Sequence, residues 1–557
     1  MRNFIVVLIL GCMLTGCQNK TDKTMDNSSV KAPFEWDAAT IYFMLTDRFN
    51  NGDTSNDNNF GRTKETGVLR GFEGGDIKGV TQKIKAGYFT DLGVNAIWMT
   101  PIVEQIHGGT DEGTGLSYGF HGYWTKDWTN LDPDFGTKAD LKELIEVAHS
   151  KGIRIVLDAV INHRGPVTEQ DPVWPESWVR TGPACDYHDF DSTVSCTLVE
   201  NLPDIRTESN EVVELPPQLI AKWKAEGRYE KEVAELDAFF EQTGYPRAPR
   251  FYIMKWLADY ITEFGIDGYR VDTVKHTEPY VWREFRKVVD TAFAQFKTEH
   301  PDKVLDDNGF YLVGEVYNYA ISNEKAFDFG DRKVNYFDKA FNQLINFEFK
   351  WNAQQMDYES MFVKYDSILH NDLKDYSVLN YLSSHDDGQP FDPMREKPFE
   401  SANRLLLTQG AAQIYYGDES ARVLHADGAT GDANLRTFMN WDDIESNPTT
   451  KAILSHWQLL GRFRANHPAV GAGRHKMISQ SPYVFSRTYV NGDFKEAVVI
   501  GLNLEKGKKI IPVGKAFPER MNLHDAYSNT TVTVENGNVI LNNEYSMVLL
   551  ELAHDSK

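Results

Sequence analysis

Cysteine is scarce in this chain, with four in 557 residues. Cys12 and Cys17 fall within the first seventeen residues, which leaves Cys185 and Cys196, eleven apart in a polar, loop-like stretch. No metal-ligand spacing surrounds that pair, so it reads as a disulfide of an exported protein. Basic charge is also short: 58 Lys and Arg face 81 Asp and Glu, a net charge of −23. That argues against nucleic acid as a partner, because phosphate binding needs basic surface; the acidity itself reads as solubility. Aromatic residues are plentiful at 12%, with 12 Trp and 25 Tyr. The length exceeds what one simple core holds, so two or three domains are expected.

The N-terminus reads as processing signal. Arg2 precedes the apolar run "FIVVLILGCML", which is too short to span a bilayer. The run leads into "LTGC", Leu14 to Cys17, which resembles the bacterial lipoprotein signal. In that signal cleavage precedes the cysteine, which is then acylated. Residues 1–17 are thus expected to be a signal peptide and Cys17 a lipid anchor to a membrane. Gln18 stands where an Asp often retains such proteins at the inner membrane, which points to the outer membrane or cell surface. Residues 18–34 are polar and read as a flexible tether.

Beyond the tether, short apolar runs alternate with helical patterns. "TIYFML" (40–45), "NAIWMTPI" (95–102), "IRIVLDAV" (153–160), "DGYRVDT" (267–273), "FYLVGEV" (310–316), "VLNYLSS" (378–384) and "AAQIYYG" (411–417) are strand candidates. Helices are expected at 139–152, 252–265 and 278–296. Repeated strand–helix units indicate a parallel sheet with both faces covered. With a weak eighth strand near "KVNYFD" (333–338), the expected fold is α/β, a closed (β/α)8 barrel over 35–163 and 251–465. Residues 164–250 are too long for a structureless loop and read as an inserted subdomain, with one helical stretch at 219–242. From 466 to 557 alternating strands and Asn-Gly turns predict a separate antiparallel β-sandwich.

Polar chemistry collects where these strands end. Asp158, Asn162 and His163 follow the third; Arg270, Asp272, Lys275 and His276 the fourth; Glu315 the fifth; His385, Asp386 and Asp387 the seventh. In a parallel barrel those ends form the active face. Any one of these charges could be a solvated loop residue or a structural ion pair, but four strands agree on the location. In "GIDGYRVDTVKH" alternation puts Arg270 and Asp272 on the same face, so the cation keeps the carboxyl ionised. Glu315 follows apolar "FYLVG" and is expected to keep its proton. Two carboxyls with divergent pKa values are the minimal kit for glycoside hydrolysis.

On these residues the chain resembles the α-amylase family, glycoside hydrolase family 13, over most of residues 38–550. "DAVINH", "GYRVDTVKH", "GEVY" and "SSHDD" look like its four conserved regions, with Ser384 where Asn is commoner. "NLPDI" (201–205), "FHGYW" (120–124) and "IYYGDE" (414–419) complete the set in order, and "HGYWTKDWTNLDPDFGT" is most similar to bacterial secreted and periplasmic members. The resemblance implies Asp272 as nucleophile, Glu315 as acid and then base, and Asp386 as a third carboxylate gripping sugar hydroxyls. It implies Arg270 as the group orienting Asp272. His121, His163 and His385 would surround the sugar, and Tyr123 would stack on it. Lys275 and His276 would line the leaving-chain side. Retention would follow, with the two carboxyls about 5–5.5 Å apart.

The resemblance also implies Ca2+. Asn51, Asp53, Asn56 and Asp57, with Gly74 and Asp76, are spaced as in the first-loop site of cyclodextrin-forming relatives. The rival reading is an Asn/Asp-rich turn cluster. A second site would use Asn162, Asp204 and the His276 carbonyl, with Arg206 making that shell less acidic than usual. Trp223 and Tyr229 in the helical insert could touch substrate, but packing is the ordinary role of such residues. The favoured activity is endo-hydrolysis of α-1,4-linked starch or maltooligosaccharide. Rivals are a transglycosylase or a cyclodextrin-acting or exo-acting enzyme of the same fold, and a non-catalytic lipid-anchored starch-binding protein. The single β domain weighs against the transglycosylase; the three intact carboxylates weigh against the non-catalytic protein.

Overall fold

The computed structural model describes residues 32–553, so the signal segment, Cys17 and most of the tether lie outside the described residues. Eight parallel strands close into a barrel: β1 (Thr40–Met44), β2 (Ala96–Met99), β3 (Arg154–Ala159), β4 (Gly268–Val271), β5 (Tyr311–Gly314), β6 (Gln343–Asn346), β7 (Ser377–Tyr381) and β8 (Ala411–Tyr415). Each pairs with its sequence neighbours, and β8 returns to β1 with Thr40 opposite Ala412. Every residue of these strands is buried, which is why they read as near-continuous apolar runs.

The sixth strand corrects the sequence reading. Lys333–Val334 pairs with Phe327–Asp328 in a small hairpin outside the barrel, and "QLIN" supplies β6 instead. Gln343 and Asn346 are fully buried polar residues, which breaks the apolar signal. They are satisfied inside: Tyr311 Oη donates to Gln343 Oε1 at 2.7 Å and Asn346 Nδ2 to Asn380 Oδ1 at 2.9 Å.

The helices used below are α1 (Ile77–Lys85), α2 (Lys138–Ser150), α3 (Pro217–Ala225), α4 (Tyr229–Thr243), α5 (Pro249–Phe264), α6 (Pro279–Glu299), α7 (Pro398–Leu407) and α8 (Pro448–Asn466). Local signals set their ends. Thr137 and Asp140 form a reciprocal capping box at the start of α2. Pro249 opens α5, and Gly265 closes it at φ 73°, where a Cβ would also collide with the Phe296 ring.

The stretch expected as one helix at 219–242 is two, α3 and α4, because Gly227 turns the chain at φ 71°. Both dock on the buried carboxylate of Asp127. Lys222 Nζ (3.0 Å), Trp223 Nε1 (3.2 Å) and Arg228 Nη2 (2.6 Å) all donate to its Oδ2. Trp223 is fully buried, so it packs and does not meet substrate. Removing one partner of so buried a charge group costs roughly 3–5 kcal/mol.

The C-terminal domain holds β9 (Arg474–Gln480), β10 (Tyr483–Asn491), β11 (Phe494–Leu502), β12 (Gly507–Pro512), β13 (Asn522–Asp525), β14 (Thr530–Thr533), β15 (Asn538–Asn543) and β16 (Val548–Leu552). A six-stranded antiparallel sheet, ordered β9-β10-β11-β16-β13-β14, faces the β12-β15 pair in a sandwich. Alternation divides its side chains. Phe485, Val498, Ile500 and Leu549 join the barrel's core, while Val484, Val499, Val548 and Leu550 pack with Ile511, Val539 and Leu541.

Candidate active site

A cleft of about 620 Å3 opens at the C-terminal ends of the barrel strands. Nine of the ten expected catalytic and sugar-contacting residues line it: His121, Tyr123, His163, Asp272, Lys275, His276, Glu315, His385 and Asp386. The tenth, Arg270, lies beneath the floor at 1% exposure.

Arg270 organises the site. Its Nη1 lies 2.7 Å from Asp272 Oδ1 and 3.0 Å from Asp158 Oδ1, and its Nη2 lies 2.9 Å from Glu315 Oε1. Arg270 and Asp272 share a strand face, and β3 and β5 flank β4 in register, so three neighbouring strand ends deliver their carboxylates to one planar cation. Tyr269, on the opposite face, donates to the Leu257 carbonyl of α5 at 2.7 Å. The inward charge cluster is therefore a consequence of strand alternation.

Burial pushes the Glu315 pKa well above the ordinary carboxyl value, against Arg270 and with the negative charges of Asp272 and Asp386 adding to it. Thr273 N–H donates to Glu315 Oε2 at 2.9 Å and fixes the carboxyl. For Asp386 burial pushes the same way but is outweighed. His385, Arg270 and the Ser384 hydroxyl, 2.9 Å from Oδ1, hold it below the usual range. Its side chain is 32% exposed, the most open of the three carboxylates.

The imidazoles are neutral at pH 7. Burial lowers His121 and His163, and takes His276 and His385 down to about 4. Tyr123 lies nearly parallel to two of them. Its ring is stacked on His385 (centroids 5.2 Å, 20° between planes) and on His121 (5.9 Å, 19°). Its hydroxyl donates to Asp158 Oδ2 at 2.9 Å, a carboxyl that burial raises to about 7. Lys275 reaches over the Tyr187 and Tyr317 rings at the cleft's other side, and burial lowers its pKa.

Sequence reading named Asp158 and gave it no role; here it is the second anchor of Arg270. It missed the cleft's far end, where Asp432 binds both Arg70 Nη2 (2.9 Å) and Arg436 Nη2 (2.7 Å). Those residues come from loops whose pairing has no sequence period. Tyr187 also lines the cleft, on the loop that the joined Cys185–Cys196 pair closes.

Among the described residues no group of three or more His, Cys, Asp or Glu is placed to hold a metal ion. The expected calcium ligands rely instead on amides and carbonyls, and they fit in part. Asn51 Nδ2 meets Asp57 Oδ1 at 2.9 Å beside Gly74, where a Cβ would lie 2.7 Å from that same oxygen. Asn56 Oδ1 is buried with no hydrogen-bond partner. Asp53 and Asp76 are committed elsewhere: Asp53 to Lys78 and Ser55, and Asp76 to the backbone N–H groups of Gly52, Asp53 and Gly79 as the N-cap of α1. At the second location Asp204 Oδ1 and Asn162 Nδ2 are both buried and unpartnered. The cation beside Asp204 is Arg180, at 3.0 Å across a strand pair, and not the Arg206 singled out from sequence. Arg206 turns to the Glu176 carbonyl.

A sequence model of the α-amylase catalytic domain matches residues 43–456. The chain belongs to the α-amylase family. It is a glycoside hydrolase. The periplasmic α-amylase of Escherichia coli K12 is 34% identical over 540 residues, covering 85% of this chain and 73% of that protein. A cyclomaltodextrin glucanotransferase of Thermoanaerobacterium thermosulfurigenes is 25% identical over 555 residues, covering 96% and 69%. Among solved structures, the acarbose complex of the Geobacillus thermoleovorans α-amylase superposes with a TM-score of 0.64 at 23% identity, covering 94% of this chain and 100% of that one. CldA, a cyclomaltodextrin glucanotransferase with a three-domain ABC distribution, gives 0.63 at 20%, covering 93% and 99%. A single β domain after the barrel therefore does not separate hydrolase from transglycosylase.

Proposed function

We propose that this protein is a retaining α-amylase that cleaves internal α-1,4-glucosidic bonds of starch or maltooligosaccharides. The observation that carries the reading is the gathering of Asp158, Asp272 and Glu315 on the one guanidinium of Arg270, with Asp386 on the same cleft. Two carboxylates gripped by neighbouring nitrogens of one cation stand close together, as a covalent route requires.

Asp272 attacks the anomeric carbon as Glu315 gives its proton to the glycosidic oxygen. The C–O bond breaks and a glycosyl ester forms on Asp272. The Glu315 carboxylate then takes a proton from water, the water oxygen displaces Asp272, and both carboxyls return to their starting states. Asp386 grips ring hydroxyls, Tyr123 stacks on the sugar, and the neutral His121, His163 and His385 hydrogen-bond it without adding charge. Lys275 and His276 line the departing chain. Asn51, Asn56, Asp57 and the Gly74 carbonyl are the residues suited to hold Ca2+, with Asn162, Asp204 and the His276 carbonyl at the second location. A calcium ion held by these oxygens would tie the loops that carry them together.

The similarity to a periplasmic enzyme supports export, and the "LTGC" segment supports a lipid anchor at Cys17. A second reading, a cyclodextrin-forming transglycosylase, is favoured by the convergence of Asn51, Asp57 and Gly74 in the first loop. Chromatography of early products from amylose decides between them, with Asp272→Asn as control. Linear products of mixed length support the endo-hydrolase; cyclic products support the transglycosylase. Retention of amylose without products would sink both.

A further inference from the structure

Two consecutive carboxylates, Asp386 and Asp387, follow β7 and come to different places. Asp386 lines the cleft, with 32% of its side chain exposed. Asp387 does not line it, and its side chain is 9% exposed. A carboxylate so buried needs partners. Tyr381 Oη, on β7, donates to Asp387 Oδ2 at 2.6 Å, and the Gln389 N–H donates to Oδ1 at 3.1 Å. The counter-charge is Lys350, whose Nζ pairs with Oδ2. Lys350 comes from the short helix Phe349–Gln355 that follows β6, and it is itself 4% exposed. Lysine is rarely buried so deeply, and no step of the proposed reaction uses this one.

The residue on the other side of Asp386 is fastened as well. Arg436 Nε, from the segment after β8, donates to the His385 carbonyl at 3.0 Å. Asp386 therefore sits between two neighbours, each tied to a cation from a different part of the chain. Its own carboxylate accepts from the Ser384 hydroxyl at 2.9 Å and otherwise opens to the cleft. A side chain aimed at a ligand is only as well placed as the peptide that carries it.

We propose that Lys350 is a positioning residue for Asp386: by holding Asp387, it fixes the peptide that aims the Asp386 carboxylate at the sugar. The part of Asp386 in gripping sugar rests on the reading of the cleft given above. Without Lys350 the Asp387 charge is buried and unpaired. Turning that carboxylate toward water twists the adjoining peptide and moves Asp386 with it. Removal of both charges leaves a neutral pair and no such force.

The test follows maltoheptaose binding by calorimetry in the full chain carrying Asp272→Asn. Lys350→Met is expected to weaken binding about 10-fold, the scale of one charge-assisted hydrogen bond. Asp387→Asn, which strands the lysine instead, is expected to do the same, and it carries the test should Lys350→Met fail to fold. Lys350→Met together with Asp387→Asn restores binding to within about 3-fold of the parent. In a chain that also carries Asp386→Ala, Lys350→Met costs nothing further, which a merely structural role would not produce. Parent-like binding by both single variants overturns the proposal, even where their melting temperatures fall. So does further weakening by Lys350→Met in the Asp386→Ala chain, which would place its effect on the cleft at large. Asp386→Ala alone tests the cleft reading separately: unweakened binding there would remove Asp386 from the sugar's grip, whatever Lys350 does.

Discussion

Asp272 Oδ1 lies 2.7 Å from Arg270 Nη1, so the proposed nucleophile is held by the side chain two positions before it on the same strand face. The same cation reaches Glu315 through its other terminal nitrogen. A lysine supplies the charge but cannot bridge two carboxylates with a planar fork. Arg270→Lys is therefore expected to lower kcat about 10²-fold, the scale of an ångström's misplacement, with a smaller change in KM. Steady-state kinetics on maltoheptaose check this, with a melting curve confirming the fold. A near-normal kcat would show that Arg270 does not position the carboxylates.

Glu315, as the proposed acid, is expected to set the alkaline limb of activity. A carboxyl whose pKa is raised keeps its proton to higher pH, so the acid is present below that value and lost as pH rises through it. Glu315→Gln is expected to lower kcat/KM about 10²- to 10⁴-fold and to flatten what remains on the alkaline side. The pH profiles of both proteins measure it. An unchanged alkaline limb in the variant would assign that limb to another group.

Calcium, if held in the first loop, stabilises the folded chain by mass action, about 2.7 kcal/mol at a hundredfold excess over Kd. Chelation is expected to lower the melting temperature and added calcium to restore it. Asp57→Ala should weaken that response by the first loop's share, leaving the second location and its Arg180–Asp204 pair untouched. Insensitivity of the parent protein to chelator would remove calcium from both locations.

His467, just after α8, is clamped between Glu496 (2.7 Å) and Glu551, which joins the barrel to β11 and β16. Burial works against the charged ring, but these two carboxylates raise its pKa from 6.5 to about 9. A raised histidine stabilises the fold fully below about pH 6.5, and that contribution is lost as pH climbs through 9. The amount is about 3 kcal/mol. His467→Gln should therefore lower the melting temperature at pH 6 and bring it closest to the parent at pH 9.5. Equal losses at both pH values would show that the ring's charge does not fasten the domains.

Much of the site was legible because strand alternation is a local rule. Arg270 and Asp272 had to share a face, and the ends of β3, β4, β5 and β7 had to meet once the sheet closed. The sixth strand escaped because Gln343 and Asn346 are buried polar residues satisfied by Tyr311 and Asn380 on the neighbouring strands, pairings that periodicity does not register. The break in the insertion escaped because a single glycine, Gly227, ends one helix inside a continuous helical pattern.

The sequence by itself determined the barrel, seven of its eight strands and the carboxylates at their ends. These follow from the spacing of apolar residues and from a two-residue repeat that needs no knowledge of distant partners. The tertiary structure alone decided which groups answer each charge. Arg180 and not Arg206 stands beside Asp204, Lys78 claims Asp53, Asp127 anchors the insertion, and Asp432 ties two arginines at the cleft's end. Charge acts through space and so depends on loop paths, and those are fixed by packing between segments far apart in the chain.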